Sequence, residues 1–231
     1  VAGTLYVVAT PIGNLQDVSE RALRVLREVD RIAAEDTRRT GKLLAHYGID
    51  KPLTSYHDAA ERRKAPRLVE ELLSGRNLAL VSDAGTPLIS DPGYRLVRAA
   101  LDAGVSVVPI PGASAVTALL SVAGFATDRF VFEGFLPQRE GRRRRRLEVL
   151  RAEQRTIVLY ESPHHIERTL GEIEEVLGDR AIVVGRELTK LFEEIQRGSV
   201  SSVRAAIAAK APRGEYTLVV AGADVVEDKS D

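Results

Sequence analysis

Three segments of this chain combine small residues with prolines in a way that suits ligand contact, and the longest adds two carboxylates. They are Thr10-Pro11-Ile12-Gly13-Asn14, the longer stretch Ser82-Asp83-Ala84-Gly85-Thr86-Pro87-Leu88-Ile89-Ser90-Asp91-Pro92-Gly93, and Pro111-Gly112-Ala113-Ser114-Ala115. The long stretch holds two each of Asp, Pro, Gly and Ser, whereas a plain strand-to-helix connection needs only about two to six residues. Small side chains at such turns let backbone groups approach a ligand closely. Tight packing alone is the competing explanation for any single loop; three of them on one sheet edge favour a site.

Known phosphate signatures are absent. The pattern GxxxxGK[ST] fails because Gly41-Lys42 has Asp36 where the first Gly belongs and Leu43 after the lysine. No GxGxxG follows the first apolar run. The residues therefore suit a compact ligand without a triphosphate. Metal chemistry is not expected: the chain has no Cys, and of its four His only His164 and His165 are adjacent, a spacing unlike that of structural zinc sites.

Net charge is zero over 231 residues, but five arginines run together from Arg142 to Arg146. Such a run is either a solvated first helical turn or a phosphate-binding patch, for which the planar, permanently charged guanidinium is well suited.

The elements that must hold these groups alternate. Apolar runs at 4–9, 31–35, 52–56, 77–81 and 105–110 read as strands, separated by amphipathic helical patterns, and this alternation predicts a mainly parallel sheet with helices on both faces. Asp17 and Glu20 resemble a capping box for the first helix, and Asp91-Pro92 resembles the start of the helix after the long loop. From residue 129 onward, strands at 129–135, 155–160, 181–186, 191–196 and 216–221 include consecutive ones without an intervening helix, which predicts a mixed sheet. The expectation is two α/β domains, residues 1–125 and 126–231, with a frayed tail at 224–231. No apolar run approaches the ~18 residues of a membrane span, and the start of the chain lacks the order of a signal peptide; a cytoplasmic protein is expected.

Six motifs in order, TPIGNL near the start, AEDTR at Ala34–Arg38, SDAGTPLISDPG, PIPGASA at Pro109–Ala115, YESPHH at Tyr160–His165 and RELTK at Arg186–Lys190, resemble the ribosomal RNA small subunit methyltransferase I family of tetrapyrrole-methylase-like enzymes. The resemblance covers nearly the whole chain. It implies a homodimer of two-domain subunits with S-adenosylmethionine in a cleft between the domains, and 2′-O-methylation of a cytidine in the decoding region of 16S rRNA. Pro11, Asp83, Gly85, Thr86, Leu88, Ser114 and Ala115 are the implied cofactor contacts, completed by Tyr160, Gly214, Glu215 and Tyr216. Asp83 would meet the ammonium or a ribose hydroxyl, its alternative being a capping role.

A ribose hydroxyl is a weak nucleophile that benefits from a base or a neighbouring cation. Asp36, Glu187 and Lys190 are the candidates, against structural readings in which Asp36 caps a helix and Glu187 pairs with Lys190. Arg38, Arg39 and Arg142, Arg143, Arg144, Arg145 and Arg146 would hold RNA phosphates. Where the family often reads YHxHNE, this chain has Tyr56-His57-Asp58-Ala59-Ala60-Glu61, which argues against a histidine base there. A tetrapyrrole acceptor, or a non-catalytic RNA-binding assembly factor, are the alternatives.

Overall fold

The computed structural model describes residues 1–223, so the expected tail at 224–231 lies outside the described residues. The chain divides into two compact units, the first ending at Ser114 and the second beginning at Ala115.

The first unit contains β1 (Thr4–Val8), a short 3-10 helix (Leu15–Asp17), α1 (Glu20–Glu28), β2 (Arg31–Ala34), α2 (Thr37–His46), β3 (Leu53–Ser55), α3 (Asp58–Leu73), β4 (Leu78–Val81), α4 (Tyr94–Asp102) and β5 (Ser106–Ile110). Its sheet runs β3-β2-β4-β1-β5, with every pairing parallel. All four residues of β4 are buried, as a central strand covered on both faces requires. Side chains alternate along it: Leu78 and Leu80 join one core cluster with Leu68, Leu72 and Leu96, while Ala79 and Val81 join another with Ala22, Leu26 and Leu44. Helices α3 and α4 thus cover one face, and α1 and α2 the other.

Two helix starts differ from expectation. Ser19, not Asp17, caps α1, its hydroxyl accepting from the Ala22 N–H at 3.1 Å. Asp91-Pro92 does not open α4, which starts at Tyr94 after Gly93. The buried Glu61 carboxylate accepts from the Gly93 N–H at 2.6 Å, so a neighbouring helix supplies the carboxylate that the local sequence was expected to provide.

The second unit contains α5 (Ala115–Ala123), β6 (Phe130–Phe135), α6 (Glu140–Leu150), β7 (Thr156–Glu161), α7 (Ile166–Leu177), β8 (Ala181–Arg186), β9 (Glu194–Ser199), α8 (Val200–Ala208) and β10 (Tyr216–Val220). Its sheet order is β6-β7-β10-β8-β9; β6 and β7 are parallel and the rest antiparallel. One core cluster joins Leu147 and Leu150 of α6, Leu170 and Ile173 of α7 and Val203 and Ile207 of α8 to strand residues such as Ile157, Leu159, Ile182 and Leu218.

Against the expected boundary at 125/126, the division at 114/115 assigns α5 to the second unit, because this helix packs on β10. A Cβ on Gly185 would stand 2.9 Å from Leu119 Cδ1; the glycine lets α5 seat on the sheet. The strand expected at 191–196 lies instead at Glu194–Ser199. Residues before it form a turn, with left-handed backbone at Glu187 and Thr189, and pairing of Arg186 with Glu194 starts the ladder there.

Candidate functional site

In the first unit the three small-residue loops follow β1, β4 and β5 at their carboxyl ends, the edge where open parallel sheets bind ligands. They converge. Thr10 and Gly85 exchange backbone hydrogen bonds at 2.9 and 3.0 Å, and the buried Thr10 hydroxyl donates to the Ser82 carbonyl at 3.3 Å. A Cβ on Gly85 would lie 3.4 Å from Ile12 and 3.8 Å from the Ala113 carbonyl, so all three loops meet at this glycine. Gly85 has φ +80°, and Leu88 and Ser90 share the left-handed region at +73° and +64°. For non-glycine residues such backbone costs about 1–3 kcal/mol each and is found mostly where function demands it.

Carboxylates crowd the same edge. Glu35 accepts from the Asp83 N–H at 3.1 Å, and Asp83 accepts from the Asp36 N–H at 2.9 Å. The second Asp83 oxygen lies 3.4 Å from Arg39. Burial pushes the Asp91 carboxyl up to about 6, against a hydrogen bond from Ser82, with the charges of Glu35, Asp83 and Asp58 adding to the rise. Burial also raises Glu35, and the Asp83 and Asp58 charges reinforce it against the Asp83 N–H. Like charges held this close disfavour one another's ionisation and cost stability, and such clusters recur at functional sites.

Of the expected contacts, Pro11, Asp83, Gly85, Thr86, Leu88 and Ser114 belong to this unit. Pro11 is buried directly after Thr10, and the Thr86 carbonyl accepts from the Ile89 N–H at 3.3 Å. Asp36 takes its structural alternative: its side chain caps α2 through the Arg38 N–H at 2.8 Å and pairs with the Arg38 guanidinium at 2.8 and 3.1 Å. The Arg38 side-chain and backbone donors hold its carboxyl well below the usual range. A carboxylate so stabilised is a poor proton acceptor, and Arg38 is correspondingly engaged. Sequence reasoning missed Glu35 and Asp91. Glu35 is the neighbour of Asp36 in the AEDTR motif, and its place at the strand end was the available signal.

In the second unit, Gly214, Glu215 and Tyr216 lead into β10 beside the turn that carries Glu187 and Lys190. The Lys190 ammonium lies 2.8 Å from Glu187 Oε1 and 3.0 Å from Glu215 Oε2, and Glu187 Oε1 also accepts from the Glu215 N–H at 3.0 Å. Burial opposes the Lys190 charge, but the two carboxylates outweigh it and hold the ammonium above its ordinary range. Burial likewise opposes ionisation of Glu187, outweighed by Lys190 and the Glu215 N–H, and the carboxyl is lowered. Any Cβ on Gly214, whose φ is +77°, would collide with the Glu187 side chain. The cluster is thus a fixed cation flanked by two anions. Ala115 opens α5, Tyr216 is buried in the sheet, and Tyr160 packs edge-on against Phe132 with ring centroids 5.1 Å apart.

The arginine run corrects one expectation. Arg143 is 1% exposed; its guanidinium forms a two-pronged ion pair with Glu172 and donates to the Gln138 carbonyl at 2.8 Å. It is unavailable to phosphate, because the inward side of α6 passes through its position with Leu147 and Leu150. Arg146 is paired with both oxygens of Glu133, at 2.7 and 2.5 Å, and Arg144 reaches Glu175 at 3.2 Å. Arg142 and Arg145 are exposed.

A wholly parallel sheet with crowded strand-end loops, followed by a mixed sheet, is the architecture of the class described as Tetrapyrrole (Corrin/Porphyrin) Methylases, and residues 4–204 match that family. The chain is similar to "Ribosomal RNA small subunit methyltransferase I" of Escherichia coli O157:H7, 50% identical over 229 residues that cover 98% of this chain and 80% of the relative. The protein of the same name from Synechocystis sp. is 51% identical over 222 residues, covering 96% and 80%. The chain therefore belongs to the tetrapyrrole methylases and, within them, to the ribosomal RNA small subunit methyltransferase I family; it is a methyltransferase.

Solved structures extend the likeness of fold. Diphthine synthase superposes with a TM-score of 0.72 at 18% identity, covering 95% of this chain and 90% of that one. Uroporphyrin-III-C-methyltransferase from Thermus thermophilus does so with a TM-score of 0.63 at 21%, covering 95% and 94%.

Proposed function

We propose that this protein transfers the methyl group of S-adenosylmethionine to the ribose 2′-hydroxyl of a cytidine in the decoding region of 16S rRNA. The observation that carries this reading is half identity across nearly the whole chain to relatives named for ribosomal RNA small-subunit methylation.

The residues present fit such a donor. Asp83 offers a carboxylate to its ammonium or a ribose hydroxyl, Gly85 and Leu88 form left-handed turns in the loop that follows it, and Pro11, Thr86 and Ser114 line the same strand ends. Ala115, Tyr160, Gly214, Glu215 and Tyr216 are the second unit's contacts in this reading. When bound, S-adenosylmethionine supplies a methyl already activated by its sulfonium, so alignment by the protein provides most of the acceleration. Lys190 is the residue we assign to the acceptor hydroxyl: a cation fixed by Glu187 and Glu215 favours the alkoxide form of a hydroxyl placed beside it. Asp36 keeps its structural role. In this reading the enzyme is a cytoplasmic homodimer that acts on the small ribosomal subunit and uses no metal.

Small subunits lacking the modification, incubated with methyl-labelled S-adenosylmethionine, are the test. Label on the ribose of a single cytidine is expected, and Lys190→Ala should lower kcat by about 10²–10⁴-fold. Label on a base, or no transfer to any assembly state of the subunit, contradicts the reading.

A further inference from the structure

The loop at 82–93 is held by different means at its two ends. Near its start, Asp83 is fixed by Glu35 and the Asp36 N–H, and Gly85 by Thr10, all at the strand-end edge itself. Near its finish the partner comes from another helix. Glu61, in the first turn of α3, is 7% exposed, and its two oxygens reach different groups. Oε1 accepts from the Gly93 N–H at 2.6 Å, and Oε2 lies 3.6 Å from the Arg95 guanidinium. The fully buried Tyr56 feels the same carboxylate. Burial raises its phenol, and the Glu61 charge reinforces the rise against the Leu96 N–H, so the hydroxyl stays protonated.

Burying a carboxylate is costly unless it is paired and hydrogen-bonded, and the reason for this one lies at Gly93. That residue takes φ +138°. A Cβ there would stand 2.8 Å from Leu80 Cδ2 and 2.9 Å from Leu88 Cδ1, so the missing side chain makes the room in which Leu88 sits. The same absence leaves α4 without a side-chain cap of its own. Glu61 fills that place, and an anion at a helix N-terminus is favoured by the helix dipole as well. Leu88 packs on the core that contains Leu80 and Leu96 while its backbone is left-handed at φ +73°, a conformation that persists only where its surroundings enforce it. Glu61, Gly93 and Leu88 thus form one chain of contacts from α3 into the loop.

We propose that Glu61 is a positioning residue for the methyl donor: by holding Gly93 at the head of α4 it keeps Leu88, and with it the turn from Thr86 to Leu88, in the shape that receives S-adenosylmethionine. Glu61 acts through the loop and does not touch the donor. This rests on the assignment of Asp83, Gly85, Thr86 and Leu88 as donor contacts in the reading above, and adds to it the residue that sets their geometry.

Calorimetric titration with S-adenosylmethionine, well below the unfolding temperature of each variant, is the test. Glu61→Ala, and Glu61→Met, which fills the space without offering an acceptor, should each weaken binding by about 2- to 30-fold, the range over which residues without ligand contact act. Glu61→Gln, whose amide oxygen can still accept from the Gly93 N–H, should restore most of the affinity. Leu72, fully buried on the same helix, gauges general weakening of the unit: Leu72→Ala should lower stability to denaturant and bind the donor as the wild type does. In a Leu88→Ala background, Glu61→Met should bring no further loss, because residues in one chain of contacts are not additive. In steady-state assays the KM for the donor should rise in Glu61→Met while the KM for small subunits stays.

Wild-type affinity in Glu61→Met, a loss in Leu72→Ala as large as that in Glu61→Met, or full additivity of Glu61→Met with Leu88→Ala overturns the proposal. So does a Glu61→Gln protein that binds as weakly as Glu61→Met. Methyl transfer by the wild type together with unchanged donor affinity in the variants refutes this inference alone. Donor binding that follows the expected pattern, in a protein that transfers no methyl to ribosomal subunits, refutes the rRNA methylation reading alone.

Discussion

The strand-end edge of the first unit handles charge differently from the second unit, although elsewhere in the first unit pairs such as Arg31–Glu71 and Arg98–Asp102 are matched as well. At the strand ends of the first, Glu35, Asp83 and Asp91 share one edge, with Arg39 as the neighbouring cation at 3.4 Å from Asp83, and burial raises the carboxyls of Glu35 and Asp91. In the second, nearly every conspicuous charge is matched: Arg143 with Glu172, Arg146 with Glu133, and Lys190 with Glu187 and Glu215. Matched charges hold elements together. Crowded like charges, on a backbone with left-handed Leu88 and Ser90, cost stability, and such costly arrangements recur at functional sites. Matching alone does not exclude chemistry, since Lys190 is held by its two carboxylates and is also the cation assigned to the acceptor hydroxyl; within the run of five arginines, three are matched and two are exposed.

The sharpest challenge to this contrast lies in α6. Arg143→Ala leaves the Glu172 carboxylate without its two-pronged partner and should cost about 3–5 kcal/mol in denaturant unfolding, whereas Arg142→Ala, one residue away, should stay within about 0.5 kcal/mol. Equal effects would erase the distinction between fastening and exposed arginines. A smaller effect is expected at Asp91. A carboxyl raised in the folded state destabilises it once pH climbs past the unfolded value near 3.8, and the penalty is complete above about 6. Asp91→Asn should therefore unfold at a higher temperature than the wild type at pH 7, with the gap closing as pH falls from 6 towards 4. A gap that is constant with pH would mean the carboxyl is not strained.

Much of this was legible in the sequence. The apolar run at 181–186 set the bounds of β8 as found, and the small-residue loops announced the strand-end edge of the first unit. What escaped notice depended on tertiary partners. Asp91-Pro92 has the local chemistry of a helix start, yet left-handed turns at Leu88 and Ser90 and the distant Glu61 carboxylate move the start to Tyr94. Five identical side chains give no local sign of which one points inward; the position of Arg143 in register with Leu147 and Leu150 decides it. Glu187 with Lys190, by contrast, formed the pair that the sequence already offered as one of two alternatives.

The most direct test of the central claim, that the crowded carboxylate edge exists to meet a ligand, is calorimetric titration of S-adenosylmethionine into the wild type and Asp83→Ala. Loss of one charge-assisted contact, about 1.5–3 kcal/mol, predicts that the variant binds roughly 10- to 150-fold more weakly while its unfolding temperature is unchanged or higher. Equal affinity in the two proteins, or a variant that loses both binding and stability together, would contradict it.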